Sequence, residues 1–515
     1  MSPIVLFSFV IAYFVILLGV AWYTSKNSTN DTFFSGNKNS NWMLVAFGMI
    51  GTSLSGVTFV SVPGAVGDFA GTGFKGFAYM QVAIGYLIGY AVVAFILLPL
   101  YYRLNLTSIY NYLLQRFGVV AYKTGALFFI ISRTVGATAR LYLVVNILQV
   151  FILDKLHVPF LVTTAVILLM ILLYTFEGGV KTIVYTDTLQ TSLMVTGLVV
   201  CVIFILNQLH LSGGEAISEI SNRGYFNVFN HDVNSKGFFL KQIIGGAFIT
   251  IAMTGLDQEM MQKNISVKRL GDSQKNMITM SIILVGVLFL FLVLGGLLYL
   301  YTTSKGAAYT EVMVNGKMVK QLVLNGNNIL GDKIFPTVAL EMLPPAISVM
   351  FIIALISALF PSADGALTAL TSSFCIDILG LQKRDDLDDK GKKKLRLTVH
   401  LTFTVVFLIC IWVFYKISDN SIIDKILDLA GYTYGPLLGL FAFGIFTKRK
   451  LANTFLITAV CLLSPVVCYL VNIYSAELFG AYKIGIEMLL INGMLTFIGL
   501  LLISKKERPE ANILL

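Results

Sequence analysis

The stretch from Leu343 to Ile378, LPPAISVMFIIALISALFPSADGALTALTSSFCIDI, is an apolar run whose centre is interrupted by Pro361, Asp364 and Gly365. About 20 apolar residues are enough for a helix to cross a bilayer. Within the hydrocarbon, an irregular backbone or a carboxylate is stable only where it faces protein or a water-filled cavity. Residues 360–365 are therefore expected to line a polar site inside the membrane.

Pro361 indicates the kind of ligand that this site would bind. Proline has no N–H to donate and its ring clashes one turn back, so we expect free carbonyl oxygens at Ala358 or Ser357 beside the Ser362 hydroxyl. Such oxygens suit a hard cation. The structural alternative is that Pro361 only kinks a packed helix, that Ser362 bonds back to its own helix, and that Asp364 pairs with an arginine.

The composition is that of an all-α polytopic membrane protein. Hydrophobic residues make up 57% of the 515-residue chain and charged residues 12%, about half the charged fraction of a soluble domain. The net charge of +10 does not indicate nucleic acid binding, because lysines and arginines lie in short loops at the ends of apolar segments. The five cysteines and four histidines form no CxxC or HExxH motif, so we expect neither a disulfide framework, nor a zinc site, nor metal-hydrolase or acyl-transfer chemistry.

About thirteen apolar segments are expected to be transmembrane helices, and we number them spans 0 to 12. They leave no room for a separate soluble domain, so residues 1–515 form one transmembrane domain. The segments lie at about 1–25, 42–67, 74–102, 121–153, 158–177, 182–209, 237–260, 276–303, 344–380, 395–416, 421–446, 451–474 and 484–504.

The distribution of basic residues predicts the orientation of the chain. With the N-terminus outside and the C-terminus inside, roughly 23 of the 37 Lys and Arg residues are cytoplasmic and roughly 12 are external, as the positive-inside rule requires. Span 0 has neither a preceding basic residue nor a cleavage site, so we expect a retained helix rather than a signal peptide. We expect location in the plasma (inner) membrane, with loops 210–236 and 304–336 outside and a hairpin at 314–328.

Spans 1 and 6 carry matching interruptions. Span 1 contains AFGMIGTSLSG (46–56) and span 6 contains IIGGAFITIAMTG (243–255), about 190 residues apart. Glycine-interrupted segments in corresponding positions of two halves point to a transporter binding site at the midplane. Close helix packing by small residues is the alternative, but the hydroxyls in span 1 are denser than packing requires.

Four ionisable side chains lie inside apolar runs, namely Arg133, Arg140, Asp187 and Asp364. Such residues are candidates for function. The two arginines are seven residues apart, hence on one helix face, and could clamp an anionic substrate. The alternative is that they form buried ion pairs with Asp187 and Asp364.

Several motifs together resemble the sodium/solute symporter family. They are TSIYNYLLQRFG (107–118), FEGGVKTIVYTDTLQ (176–190), GLDQEMMQKN (255–264) and SALFPSADGALTALTSSFCID (357–377). The resemblance covers nearly the whole chain. It implies the inverted-repeat fold of the leucine transporter, with an extra leading helix (1–25), a first repeat (42–209), a second repeat (237–447) and two trailing helices (451–504).

The resemblance also implies a sodium site between spans 1 and 8. By position, its ligands would be the carbonyls of Gly51, Leu54 and Ala358 and the hydroxyl of Ser362. Many members have a second hydroxyl just before Ser362, where this chain has Pro361. The site is therefore expected to lose one ligand or to recruit a water.

Sialic acid carriers in the family imply two further roles. An acidic residue in span 5 that serves a second Na⁺ maps onto Asp187; its partners in span 8 are serines in those carriers, whereas this chain has Asp364 and Gly365. Asp364 would then bind a cation or a proton. An arginine in span 3 that binds the substrate carboxylate maps onto Arg140, and the expected pocket for a hydroxylated acid is completed by Ser53, Ser55, Thr58 and Gln81.

The resulting expectation is a sodium-coupled symporter, not an enzyme, that imports a small polar solute by alternating access. The expected substrate is a carboxylate such as sialic acid or another sugar acid. The alternative substrate is a neutral sugar, polyol or amino acid, which applies if Arg140 is held in an ion pair. A membrane sensor is the less favoured reading. The partners expected for the symporter are its substrate, sodium and membrane lipid; it would bind no nucleic acid and would not require an oligomer. Tyr79, Phe248, Tyr432 and Tyr434 are candidate gate aromatics, and Asp257 and Glu259 candidate lock residues at the inner end of span 6.

Overall fold

The computed structural model describes residues 3–26, 30–67, 76–176, 179–314, 317–417, 422–452 and 454–506. Within these ranges, nine single helices and two bent helix pairs are long and apolar enough to cross a membrane, and two shorter apolar helices bring the spans to the thirteen expected. Their bounds are Pro3–Thr24, Trp42–Ser53 with Gly56–Ala65, Tyr79–Arg103, Val119–Leu156, Phe160–Thr175, Gly179–Leu209, Phe239–Gly255 with Gln258–Ile265, Leu270–Ser304, Pro345–Ile378, Asp389–Ile417, Ile422–Phe446, Leu456–Ile473 and Met488–Ile503.

Span 1 is broken where the sequence places its glycines and hydroxyls. Its halves are bent by 57°, because Leu54 (φ −90°, ψ 79°) leaves the helical conformation and Ser55 (φ −70°, ψ 171°) is extended. The last carbonyls of a helix have no intrahelical donors. The break therefore places free backbone oxygens in the interior of the bundle.

Span 6 is broken at the corresponding position, with a bend of 65°. A turn of π-helix (Ile251–Gly255) precedes the break. Asp257 is extended and its carboxylate starts the second half by accepting from the N–H groups of Glu259 (2.9 Å) and Met260 (3.3 Å). An aspartate in this position is a favourable N-cap, so the sequence encodes where the helix restarts.

Span 8 differs from the expectation of an interruption at its centre. The α-helix runs from Pro345 to Ser373, through Pro361, and ends in a turn of π-helix (Phe374–Ile378). Every side chain from Ala354 to Ser373 is buried. A proline inside a helix removes one hydrogen bond without ending the helix when tertiary packing holds the segment on all sides.

The outer loops contain secondary structure of their own. A hairpin is present but begins before the predicted range of 314–328: strands Ala308–Val314 and Lys317–Leu324 are antiparallel, and Asn327–Asn328 is a short third strand. Residues 315–316 lie outside the described part of the chain. Loop 210–236 contains the helix Gly213–Asn222, which begins with a capping box of Ser212 and Glu215. Tyr225 and Tyr309 join the two loops, with their hydroxyls 3.2 Å apart.

Candidate functional site

The breaks of spans 1 and 6 face a common cavity of about 90 Å³, which has room for several water molecules or a small solute. Hydroxyl groups, three tyrosines and two arginines provide its polar surface. The lining residues are Thr52, Ser53, Leu54, Thr58, Tyr79, Tyr86, Tyr90, Arg133, Arg140, Ile249, Thr250, Met253, Thr254, Met260, Leu284 and Leu288.

The two arginines of span 3 have different environments. Arg133 is buried and pairs with Glu259, and its Nη1 lies 3.8 Å from Asp257 Oδ2. Arg140 lines the same cavity, and within the described residues no carboxylate lies in ion-pair range of it. The alternative, in which these arginines pair with Asp187 and Asp364, is therefore wrong. The positive charge of Arg133 is neutralised by span 6, and that of Arg140 remains available to a ligand.

The candidate lock residues are also placed differently from the prediction. Asp257 and Glu259 are 0% and 2% exposed, because the bend after Leu256 keeps them inside the bundle. Besides Arg133, Asp257 has the hydroxyl of Tyr434 as a partner at 2.9 Å. Tyr434, a candidate gate aromatic, thus stabilises this buried carboxylate.

Three of the five residues predicted to form the substrate pocket line this cavity. Ser53, Thr58 and Arg140 line it, whereas Ser55 and Gln81 do not. Gln81 is fully buried, and its amide bonds to the carbonyls of Ala78 (2.9 Å) and Gly237 (3.4 Å) and to the N–H of Asn230 (3.4 Å). In this structure its position in the first turn of span 2 directs the amide to the outer loop.

The sequence reasoning missed most of the aromatic wall. Tyr79, Tyr86 and Tyr90 follow one face of span 2 at helical spacing, which could have identified them. The hydroxyls of Tyr79 and Tyr86 are 3.2 Å apart, and Tyr90 donates to Ser53 at 3.4 Å. Together they place phenol groups opposite the span 1 break.

The ligands implied for sodium lie where spans 1 and 8 pack together. Ala358 and Ser362 are buried, and a side-chain carbon on Gly51 would lie 3.6 Å from Cγ of Pro361. Ser362 donates to the carbonyl of Leu359 at 2.9 Å, as the structural alternative predicts, yet its oxygen keeps lone pairs for a cation. The residues present thus fit an oxygen-lined cation site.

The carboxylates implied for a second cation, Asp187 of span 5 and Asp364 of span 8, are both buried. Asp187 Oδ2 is 2.7 Å from Nζ of Lys263 and 3.3 Å from the Thr52 hydroxyl, while Asp187 Oδ1 is buried without a hydrogen-bond partner. Asp364 accepts from the Tyr174 hydroxyl at 2.7 Å, not from an arginine. Sequence reasoning missed Lys263, because its burial depends on the bend in span 6.

Lys263 extends this site into a chain of alternating charges. Its ammonium also lies 3.4 Å from Glu259 Oε1, so the order along the chain is Arg133, Glu259, Lys263 and Asp187. Gly365 of span 8 makes the necessary space, since a side-chain carbon there would lie 2.2 Å from Glu259 Oε1 and 3.1 Å from Lys263 Nζ. The charged groups of spans 3, 5 and 6 therefore pack together in the space that the missing side chain of Gly365 leaves in span 8.

Known proteins show similarity over most of the chain. The chain is 25% identical to the sodium/sialic acid symporter NanT of Aliivibrio fischeri over 94% of this chain and 90% of that protein. It is 26% identical to the sodium/sialic acid symporter SiaT of Proteus mirabilis over 96% and 94%. Rabbit sodium/glucose cotransporter 1 matches at 22% identity over 86% and 68%.

A solved structure and a family model agree with these matches. The structure of a Na⁺-coupled sialic acid symporter in a substrate-bound, outward-open state superposes with a TM-score of 0.79 at 20% identity, covering 98% of this chain and 99% of that one. The fold is accordingly the leucine-transporter-like fold expected from the sequence. The model of the sodium:solute symporter family matches residues 33–459. The chain therefore belongs to the sodium:solute symporter family and is a multi-pass, sodium-coupled membrane carrier rather than an enzyme.

Proposed function

We propose that this symporter imports a small hydroxylated organic anion, with Arg140 binding its carboxylate. The observation that carries the proposal is the contrast between the arginines: Arg133 is neutralised by Glu259, whereas Arg140 lines the cavity without a carboxylate partner among the described residues. A guanidinium binds a carboxylate through two parallel hydrogen bonds. A substrate carboxylate would therefore supply the missing counter-charge.

The rest of the cavity suits the remainder of such a substrate. Ser53 and Thr58 supply hydroxyls from the span 1 break, and Tyr86 and Tyr90 supply phenols from span 2. These groups both donate and accept hydrogen bonds, as a sugar acid requires. The names of the two sialic acid symporters that match most of the chain support a sialic acid or a related sugar acid.

Coupling would arise from a sodium ion bound by Gly51, Leu54, Ala358 and Ser362. The ion would hold the break of span 1 against span 8 and so fix Ser53, which lies between two of these ligands, in the substrate cavity. Each ligand then increases the affinity for the other, and such coupling free energies are typically about 1–3 kcal/mol. Rocking of one helix bundle against the other would release both on the inner side.

For the second cation we propose competition with an internal amine. Asp187 and Asp364 would form the site, but Lys263 Nζ already lies 2.7 Å from Asp187. A cation would bind there fully only after the ammonium moves away. The free Oδ1 of Asp187 marks where its first contact would form.

The matched breaks of spans 1 and 6 support two inverted repeats, at 42–209 and 237–447, preceded by span 0 and followed by two trailing helices. The excess of basic residues in alternate loops supports an external N-terminus and an internal C-terminus in the plasma membrane. Lipid would surround the bundle, nucleic acid would not bind, and one copy of the chain would suffice for transport.

The test is the thermal stability of the purified protein with sugar acids, sugars, polyols and amino acids, in NaCl and in choline chloride. A ligand of the native state stabilises by about 2.7 kcal/mol at a hundredfold excess over Kd. We expect an organic anion to raise the unfolding temperature in NaCl only, and Ser362→Ala to abolish this effect.

Arg140→Met should remove the response to the anion and retain the response to Na⁺ alone. Stabilisation of the Arg140→Met variant by the same anion would contradict the role of Arg140. A response to neutral sugars only would identify a neutral substrate, and anion binding equal in both salts would contradict sodium coupling.

A further inference from the structure

The cation site between spans 1 and 8 has fewer ligands than a hard cation usually takes. Gly51, Leu54, Ala358 and Ser362 supply four oxygens, and hard cations bound by proteins commonly have six or more oxygen ligands. Position 361 is a proline, so the residue before Ser362 provides no hydroxyl. Another oxygen is therefore needed from outside these two spans.

Span 5 places a hydroxyl at this point. Thr191 is 0% exposed, and its Oγ1 has no hydrogen-bond partner. A side-chain carbon on Gly51 would lie 2.2 Å from that oxygen and 3.6 Å from Cγ of Pro361. The hydroxyl thus fills the space that glycine leaves open in span 1, at the level where Pro361 of span 8 also packs.

Three other hydroxyls of span 5 donate to backbone carbonyls of their own helix, whereas the Thr191 hydroxyl has no hydrogen-bond partner. Thr186 donates to Thr182 O at 3.3 Å, Thr188 to Val184 O at 2.7 Å, and Ser192 to the carbonyl of Thr188 at 2.7 Å. A threonine in a helix normally bonds one turn back in this way. A buried hydroxyl without any partner costs about 1–3 kcal/mol, and a bound ion or water would remove that cost.

We propose that Thr191 Oγ1 is a fifth protein ligand of the transported sodium ion and supplies the oxygen that Pro361 cannot. The inference rests on the proposed sodium site and adds span 5 to it. Sodium would then hold three helices together, namely spans 1, 5 and 8. Binding of the ion would satisfy the hydroxyl, because both of its lone pairs are available.

The experiment uses Na⁺ as the probe and measures the NaCl concentration that gives half-maximal thermal stabilisation of the purified protein, with choline chloride keeping the ionic strength constant. Thr191→Val keeps the shape and removes the oxygen. We expect the half-maximal concentration to rise about tenfold, which is the effect of about 1.4 kcal/mol. Thr191→Ser should stay within about threefold of the parent.

Thr186→Val is the matched control, because Thr186 is equally buried in the same helix but bonds to its own backbone. It should leave the half-maximal Na⁺ concentration unchanged. Introducing Pro361→Ser into the Thr191→Val variant should restore much of the affinity, because a serine there offers the missing hydroxyl. An unchanged Na⁺ response of Thr191→Val, or an equal change in Thr186→Val, would overturn the proposal.

Ser362→Ala separates this inference from the function on which it rests. If Ser362→Ala weakens the Na⁺ response and Thr191→Val does not, the sodium site stands and Thr191 is not a ligand. If the parent protein shows no response to Na⁺ at all, the sodium site itself is wrong.

Discussion

Arg133→Met should be far more destabilising than Arg140→Met, although both replace an arginine on the same face of span 3. The side chains of Arg133, Glu259 and Asp257 are 4%, 1% and 0% exposed. Removing one partner of a buried ion pair costs about 3–5 kcal/mol, because the other charge is left without compensation. We therefore expect Arg133→Met to lower the free energy of unfolding by about 3 kcal/mol or more.

Arg140→Met removes a charge that has no carboxylate partner within the described chain, so we expect a change below about 1 kcal/mol. The assay is reversible unfolding in mixed micelles without organic solutes, followed by tryptophan fluorescence. Adding Glu259→Gln to Arg133→Met should recover part of the loss, since it removes one of the two buried carboxylates that lose the guanidinium. Equal losses for the two arginine variants, or no recovery in the double variant, would refute the reasoning.

Two further predictions concern the charges beneath the cavity. Gly365→Ala should abolish transport, because the new carbon would lie 2.2 Å from Glu259 Oε1. Gly286→Ala is the control and should transport normally, because nothing lies within 4 Å of its new carbon. Uptake into proteoliposomes measures both variants, and normal uptake by Gly365→Ala would contradict the packing argument. Lys263→Met should lower the unfolding temperature in choline chloride and respond more strongly to Na⁺ than the parent, since Asp187 would be free to bind the ion, and Asp187→Asn should remove the additional response. A Na⁺ response unchanged by Lys263→Met would argue against a second cation at this carboxylate.

The sequence predicts those parts of the structure that depend on local chemistry. Glycines interleaved with hydroxyls mark the breaks of spans 1 and 6, because such segments tolerate a non-helical backbone and can satisfy its polar groups. The interruption predicted at Pro361 in span 8 was wrong, because the helix continues through this residue. A proline contributes about the same local signal in a broken helix and in a continuous one, and the buried surroundings of span 8 decide between them.

The partners of charged residues could not be predicted in the same way. Arg133 and Glu259 are 126 residues apart in sequence, and their contact depends on the angle at which span 6 restarts after Leu256. Arg133 and Arg140 are the same residue type, lie on the same face of span 3 and have similar neighbours in the sequence. Their different ion-pair partners therefore depend on the position of span 6, which the sequence does not show. The same limit applies to Lys263, which the sequence places at the inner end of a span.

The contact between span 0 and span 8 affects the order in which the chain is assembled during synthesis. Tyr13 is buried, and its hydroxyl accepts from Ser357, 344 residues further along the chain, at 3.0 Å. At typical rates of about 5–20 residues per second, the ribosome needs roughly 20–70 s to make the intervening segment. During that time the first helix must find another partner for its phenol group or keep it near the membrane surface, because an unpaired polar group in hydrocarbon is costly. Span 0 is thus among the helices that reach their final packing late, because it must wait for span 8.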